Sequence, residues 1–338
     1  MVLVTGGTGL VGAHLLLHLI QNNYAVKAIY REGSNLKRVA KVFSYYTVEA
    51  QELFEKIEWV QTELNDIPAL EEAFINVDYV YHAAALISFD PNDYRELKKI
   101  NAIGTANIVN LCLSNKIKKL CYVSTTGAIG KSLKGFDATE ENEWSGQDVN
   151  VYALTKHRAE MEVWRGSQEG LPVVIVNPGI IIGPGFWNSG SGNIFKTANK
   201  GYSYYPPGGT GFITVGDVVK MMTTLMNSNI INQRFIAVAN NLSYHEILTK
   251  LTKELGKKAP IIKLKIWQLQ LIRILDYTHN LVTNKGRRIT KKSISSLLHR
   301  EIYNNQKITN ALDFKFVPLD GVIEFSCLKF IEENRQLL

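Results

Sequence analysis

Cysteine is scarce in this chain: Cys112, Cys121 and Cys327 are the only three, none in CxxC spacing. That excludes a disulfide scaffold and a thiolate zinc site and predicts reduced, buried thiols in a cytoplasmic protein. Long uncharged apolar runs are also missing. The most apolar region, IIKLKIWQLQLIRILDYTHNLV from Ile261, is interrupted by Lys263, Lys265, Arg273 and Asp276, too charged to span a bilayer. It reads as an amphipathic helix that covers a cleft, the preferred expectation, or lies on a membrane surface. No leader peptide is expected, because an apolar strand begins directly after Met1. A metal site is not expected either: His14 and His18 are four residues apart, but Leu15 stands where a zinc-protease helix needs glutamate. No Gly-Lys-Ser/Thr follows the glycine-rich turn, and no nucleophile elbow supports hydrolase chemistry. Acidic excess is lacking too, for the chain carries a net charge of +7. Much of it sits late, in KKAPIIKLK and KGRRITKK. With no nucleic-acid motif beside it, the basic excess reads as a solvated rim, and no nucleic-acid partner is expected.

What is present is a regular alternation. Val2–Val4, Val26–Tyr30, Ile57–Val60, Tyr79–His82, Leu120–Ser124 and Val173–Val176 are short, almost wholly apolar runs. Helix-patterned stretches separate them, at Ala13–Gln21, Ala69–Ile75, Leu97–Leu113 and Tyr152–Gly170. Strands apolar on both faces imply a parallel sheet with helices on each side, the doubly wound α/β (Rossmann) architecture. Residues 1–178 are assigned to this dinucleotide-binding domain. FITVGD and RFIAVA, within 212–240, are expected to return to its sheet. Residues 184–211, rich in Gly, Ser, Tyr and Pro, read as mobile loop, and the helical remainder completes a smaller, mostly helical substrate lobe over 179–338. In that loop Phe186, Trp187, Tyr202, Tyr204 and Tyr205 either line an aromatic pocket or pack the small lobe.

The opening VLVTGGTGLVGAHLLLHLI joins a strand, a glycine turn and a helix. Glycine at Gly6, Gly9 and Gly12 lets backbone take positive φ and approach a ligand, and the helix start beyond offers unpaired N–H groups to an anion. Thr5, Thr8, Leu10 and Val11 complete a turn suited to a dinucleotide pyrophosphate. After the second strand stands Arg31, with Lys37 and Arg38 shortly beyond. A guanidinium pairs with a ribose 2′-phosphate and favours NADP, while Glu32 is the residue that would restore NAD. Glu63 and Leu64, after the third strand, are expected near the adenine.

Tyr152 and Lys156 stand at i and i+4, on one helix face. A lysine beside a phenol lowers its pKa, which suits Tyr152 to proton transfer near neutral pH. CYVSTTGAIG supplies Ser124, Thr125 and Thr126 as hydroxyls for a carbonyl oxygen. With TGGTGLVG at 5–12, HAAA at 82–85, NAIGTAN at 101–107, the Ser-Thr strand end, the Tyr-x-x-x-Lys pair and NPGIIIGPG at 177–185, the chain resembles the extended short-chain dehydrogenase/reductases, the NAD-dependent epimerase/dehydratase superfamily. The resemblance implies Thr125 as catalytic hydroxyl, Tyr152 as acid/base, Lys156 as ribose anchor and Asn101 in support. It also places Ala83, Ala84 and Ala85 beside the cofactor, has Pro178, Gly179 and Ile180 border the nicotinamide, and suggests a homodimer through the helices around 94–114 and 152–170.

Departures from the superfamily pattern narrow the reaction. The Asp-Glu pair of sugar dehydratases is replaced by Thr126-Gly127. Thr210 stands where UDP-sugar epimerases carry a diphosphate-gripping arginine, unless Arg234 substitutes. REGSNLKR, NPGIIIGPG, ITKKSIS and NNQKITNALDFKFVPLDGVIE resemble dihydroflavonol-4-reductase-like proteins, which implies NADPH-dependent reduction of a small carbonyl substrate. A sugar or nucleotide-sugar epimerase with tightly bound NAD and a non-catalytic NADP(H) sensor are the alternatives. Histidines 14 and 18 are read as ordinary residues of the first helix.

Overall fold

The computed structural model describes all residues except 133–135, 148, 284–286, 288–289 and 336–338. Its twelve strands are β1 (Val2–Thr5), β2 (Val26–Tyr30), β3 (Glu58–Gln61), β4 (Tyr79–His82), β5 (Lys119–Val123), β6 (Val173–Pro178), β7 (Ile180–Ile182), β8 (Tyr204–Tyr205), β9 (Gly209–Thr214), β10 (Gln233–Ala237), β11 (Asn240–Ser243) and β12 (Ile262–Lys263). Seven of them form one parallel sheet in the order β10-β6-β5-β4-β1-β2-β3. The Rossmann architecture is therefore as expected.

Side-chain parity along the strands explains the two layers. Val2 and Val4, Val26 and Ala28, Tyr81, Cys121, Val174 and Val176 point to one face, against the helices Leu10–Gln21 and Val215–Asn227. Leu3, Ile29, Val80, Leu120, Tyr122, Val173 and Ile175 point to the other, where Gly104–Ser114 and Val151–Gln168 cover them. A strand buried on both sides needs apolar residues at successive positions, which is what the sequence carries. Lys119 is the exception on β5. Its ammonium donates to the carbonyls of Leu225 at 2.6 Å and Ser228 at 2.8 Å, capping the C-terminal end of the helix Val215–Asn227.

Two expectations for the second half need correction. RFIAVA does return, as β10 beside β6, but FITVGD does not. Residues 212–214 belong to β9, which pairs with β7 and β11 in a separate three-stranded sheet, and residues 215–217 begin the helix Val215–Asn227. Glycines allow that layer to form: a Cβ on Gly179 would stand 2.3 Å from the Gly211 carbonyl oxygen. The stretch 184–211 is not simply loop. It carries the helix Asn193–Asn199, and Trp187 is buried against Phe195 and Phe330, with its indole N–H donating to Glu333 at 2.9 Å. Trp187 therefore packs the small lobe, whereas Tyr202 and Tyr204 stack on each other at its surface.

The helix Ile266–Thr283 packs Leu269 and Ile272 against Leu264, Ile294, Leu297 and Leu298. Its other side chains Ile266, Trp267, Leu271, Ile274 and Leu275 face outward. Of the two expectations for this helix, burial over a cleft does not account for that ridge. Among the described residues no helix is long and apolar enough to cross a membrane. All three cysteines are free and buried.

Candidate active site

The order of the parallel strands sets the site. Between β1 and β4 the chain connections diverge to opposite sides, so the carboxyl ends of these strands border a crevice. Gly6 leaves β1 with φ +73°, a conformation glycine adopts without strain.

The three turn glycines have different tasks. A Cβ on Gly6 would lie 2.5 Å from the Ala84 amide nitrogen, and one on Gly12 would lie 2.1 Å from the Gly6 carbonyl oxygen. At both positions it is the chain itself that excludes a side chain. A Cβ on Gly9 meets only the Gly6 carbonyl oxygen, at 3.4 Å. Gly9 alone borders open space, at the start of the helix Leu10–Gln21, which has no side-chain cap. A helix start with unclaimed N–H groups and no Cβ in the approach is a cradle for a phosphate, so these residues fit a dinucleotide.

Several expected cofactor contacts have other occupations here. The Thr5 hydroxyl pairs with His82 Nδ1 at 2.6 Å and accepts from the Ala84 amide at 3.3 Å, so it ties β1 to β4. Thr8 and Val11 stay half-exposed along the turn, and Ala85 is exposed beyond it. Arg31 is exposed at the end of β2. Arg38 instead lies over the Phe186 ring, 5.6 Å from its centroid. Glu63 is exposed, but Leu64 is buried beneath Gly104, where a Cβ would come within 2.8 Å of it. Its side chain belongs to the core, which leaves only its backbone for an adenine. Ile180 packs toward the small lobe's core, and Gly179 is required by its contact with Gly211.

A hydrogen-bond chain links this turn to the second group of residues. His82 Nε2 pairs with Thr105 Oγ1 at 2.9 Å, and Thr105 donates to the Asn101 carbonyl at 2.6 Å. Asn101 lies in a π-helical stretch, Lys98–Ile103, a local widening that often marks functional positions. Its amide nitrogen donates to the Leu86 carbonyl at 3.0 Å and to Thr155 Oγ1 at 3.1 Å, while its oxygen accepts from the Leu86 amide at 2.8 Å. Asn101 thus joins the segment after β4 to the helix Val151–Gln168, whose start Asn150 caps by accepting from the Ala153 amide.

On that helix the Tyr152 ring meets Phe89 edge-on at 5.9 Å. Lys156 is buried, and its ammonium donates to the Tyr122 hydroxyl and the Val123 carbonyl, each at 2.7 Å. Thr125 follows Val123 by two residues. Its hydroxyl accepts from the Gly127 amide at 3.2 Å, and its carbonyl accepts from Asn177. Lys156 and Thr125 thus both lie at the carboxyl end of β5, and Tyr152 stands one turn before Lys156 on the same helix.

The charges differ from the expectation. Burial pushes the Tyr152 phenol up to about 12 rather than down, and the lysine is not among the causes. Burial lowers Lys156 to about 7, against the opposing pull of Glu160. Desolvation disfavours whichever form is charged, which moves a phenol and an ammonium in opposite directions. His82, lowered to about 3 by burial and by Lys156, is neutral and serves the hydrogen-bond chain.

Glu160, Tyr122 and Phe89 were missed in the sequence. Glu160 is fully buried, accepting from Ser124 at 2.6 Å and Asn177 at 2.8 Å, and paired with Arg234 at 3.0 Å. The Arg234 guanidinium also donates to the Glu140 carbonyl. Arg234 is thus engaged inside the fold and does not substitute for a diphosphate-gripping arginine. Two signals were available. Glu160 continues the i, i+4 spacing of Tyr152 and Lys156, and Tyr122 shares strand parity with Ser124.

Residues 2–238 match the NAD dependent epimerase/dehydratase family. The chain belongs to that family. It is thus a member of an extended short-chain dehydrogenase/reductase-like superfamily of NAD(P)-dependent oxidoreductases and epimerases. Among curated relatives, this family member is 29% identical over 277 residues to a putative dihydroflavonol 4-reductase of Synechocystis sp., covering 78% of this chain and 75% of that one. Among solved structures it superposes on gox2253 with a TM-score of 0.82 at 24% identity, over 99% of both chains. It also superposes on a UDP-glucose 4-epimerase of Thermotoga maritima, with a TM-score of 0.76 at 20% identity over 98% of this chain and 99% of that one. These structural likenesses speak for the fold.

Proposed function

We propose that this family member is an NADPH-dependent carbonyl reductase acting on a ketone or aldehyde of a small organic molecule. One observation carries the reading: Arg234, the residue that could stand in for the diphosphate-gripping arginine of UDP-sugar epimerases, is held inside the fold by Glu160 and the Glu140 carbonyl. With that guanidinium engaged and Thr210 in the arginine's place, a nucleotide diphosphate has no cation at either position to grip it, which favours a small carbonyl substrate. The similarity to a putative dihydroflavonol 4-reductase supports the same direction.

In this reading Gly9 and the amides of Leu10, Val11 and Gly12 hold the pyrophosphate, and Arg31 meets the 2′-phosphate. The nicotinamide, when bound, supplies hydride. Tyr152 gives its phenolic proton to the carbonyl oxygen, and Thr125 donates a hydrogen bond to that same oxygen. Lys156 binds the ribose hydroxyls, and its charge steadies the phenolate left behind until solvent returns the proton. Asn101 keeps the segment with Phe89 aligned on the Tyr152 helix. The nucleotide half comprises residues 1–178 with the helix Val215–Asn227 and β10, and the rest shapes the substrate.

The test is oxidation of NADPH against a panel of aromatic and aliphatic ketones and aldehydes, with Tyr152→Phe beside the wild type. The variant is expected to bind NADPH normally and to lose about 100-fold or more in turnover, the usual contribution of a positioned acid. Turnover equal to wild type refutes the assignment, and conversion of UDP-sugars without net NADPH oxidation refutes the reductase reading.

A further inference from the structure

The helix Ile266–Thr283 is apolar on two sides, and the described residues cover only one. Its outward ridge is formed by Ile266 at 61% exposure, Trp267 at 62%, Leu271 at 48%, Ile274 at 50% and Leu275 at 59%. A helix apolar all round is ordinarily buried, and five contiguous large apolar side chains in water mark an interaction surface. Just before it, Ile261 and Ile262 are exposed as well.

Charge identifies the partner. Residues 255–300 contain eleven lysines and arginines and a single acid, Asp276, a local net charge of +10 against +7 for the whole chain. Lys257, Lys258, Lys263 and Lys265 are exposed on the approach to the helix. We propose that this helix docks on an anionic lipid bilayer, lying in the plane of the surface with Trp267, Leu271 and Ile274 in the acyl boundary and the lysines among the headgroups. A second copy of the chain fits less well, because a twofold interface would set two such basic segments against each other. A nucleic acid would satisfy the lysines and leave the aliphatic ridge in water.

The docking helix is connected to the site. The Arg287 amide, just beyond it, donates to the Asp90 carboxylate at 2.6 Å. Asp90 follows Phe89, which touches Tyr152, and both Phe89 and Ile87 are partly exposed on that segment. A bilayer held by the helix would therefore lie beside the rim of the site. The proposal does not depend on the reductase reading.

The full chain is sedimented with phosphatidylcholine vesicles, with and without phosphatidylserine, at low and high salt. Binding only to the anionic vesicles, released by salt, is expected. Lys263→Gln/Lys265→Gln should weaken partitioning roughly 30-fold, from the contribution of each basic residue near a charged surface. Trp267→Glu/Leu271→Glu should abolish it while the thermal unfolding temperature stays that of wild type, since neither side chain packs in the core. Equal binding to neutral vesicles, or unchanged binding by the ridge variant, overturns the proposal. So does a lipid-free oligomer that the ridge variant dissociates while the wild type ignores vesicles. Preferential binding to a DNA duplex, retained by the ridge variant, overturns it also.

Discussion

Gly9→Ala and Gly12→Ala look alike in sequence, and the structure expects opposite outcomes. A methyl at position 12 meets the Gly6 carbonyl oxygen at 2.1 Å and the Gly7 Cα at 2.8 Å. Both are backbone in a turn held between β1 and β4, so neither can rotate away. Overpacking against such atoms costs about 3 kcal/mol, the upper part of the usual range. For a chain of this size that lowers the unfolding temperature by about 4 °C. A methyl at position 9 meets nothing closer than 3.4 Å, and the residue has φ −106°, ordinary for any amino acid. Its structural cost is that of a poorer N-cap, about 1 kcal/mol. The methyl does occupy the approach to the helix start. Losing one hydrogen bond to a charged phosphate costs about 1.5–3 kcal/mol, or roughly 10- to 150-fold in affinity. Thermal unfolding without nucleotide, followed by fluorescence titration with NADPH, separates the two. Wild-type NADPH affinity in Gly9→Ala refutes the phosphate cradle; wild-type stability in Gly12→Ala refutes the steric account of the turn.

Arg31→Ala should weaken NADPH by about 10-fold or more and leave NADH unchanged, since a charged hydrogen bond to the 2′-phosphate is all that is lost; equal loss for both nucleotides in parallel titrations counts against it. Arg234→Ala strands the fully buried Glu160 and should cost about 3–5 kcal/mol in chemical denaturation, with Glu160→Gln in the same chain restoring part of that. Glu160→Gln alone removes the charge that raises Lys156, so the ionisation near pH 7 in the kcat/KM profile should move to lower pH. Burial lowers His14 to about 4 and His82 to about 3, so the unfolded chain binds more protons than the folded one below pH about 6.5. Stability should fall as pH drops from there toward 4, with a slope that His14→Gln reduces when denaturant midpoints are compared.

Local periodicity made most of the sheet legible. Strands buried on both faces leave almost wholly apolar runs, and that signature holds for β1, β4 and β6 and, with one lysine each at Lys27 and Lys119, for β2 and β5. It fails for β9, whose sequence is as strand-like as that of β10. Which sheet it joins depends on glycine contacts such as Gly179 with Gly211, and a strand pattern carries no trace of a partner. Trp187 shows the same limit. Its indole is paired with Glu333, 146 residues away, so a stretch rich in Gly, Ser and Pro read as loop although a core was assembled around it. The glycine turn was recognised by spacing, but spacing treats Gly6, Gly9 and Gly12 as equivalent, and only the fold shows which of them the chain has used for itself.

The helix Val151–Gln168 shows a related limit in the candidate site. Tyr152, Lys156 and Glu160 succeed one another at four-residue steps, and the family pattern ends at the second of them. Burial works against the ammonium of Lys156, and the two groups it touches, the Tyr122 hydroxyl and the Val123 carbonyl, bring no charge. The negative charge that favours its ionised form comes from one turn further along, at Glu160. That carboxylate pairs with Arg234, at the edge of the same sheet, and accepts from the hydroxyl of Ser124 and the amide of Asn177. The state of the lysine at the site is therefore set by strands β5, β6 and β10 together. This gives β10 a consequence for the site although none of its residues lies at the glycine turn: it brings Arg234 to Glu160, the carboxylate one turn beyond Lys156.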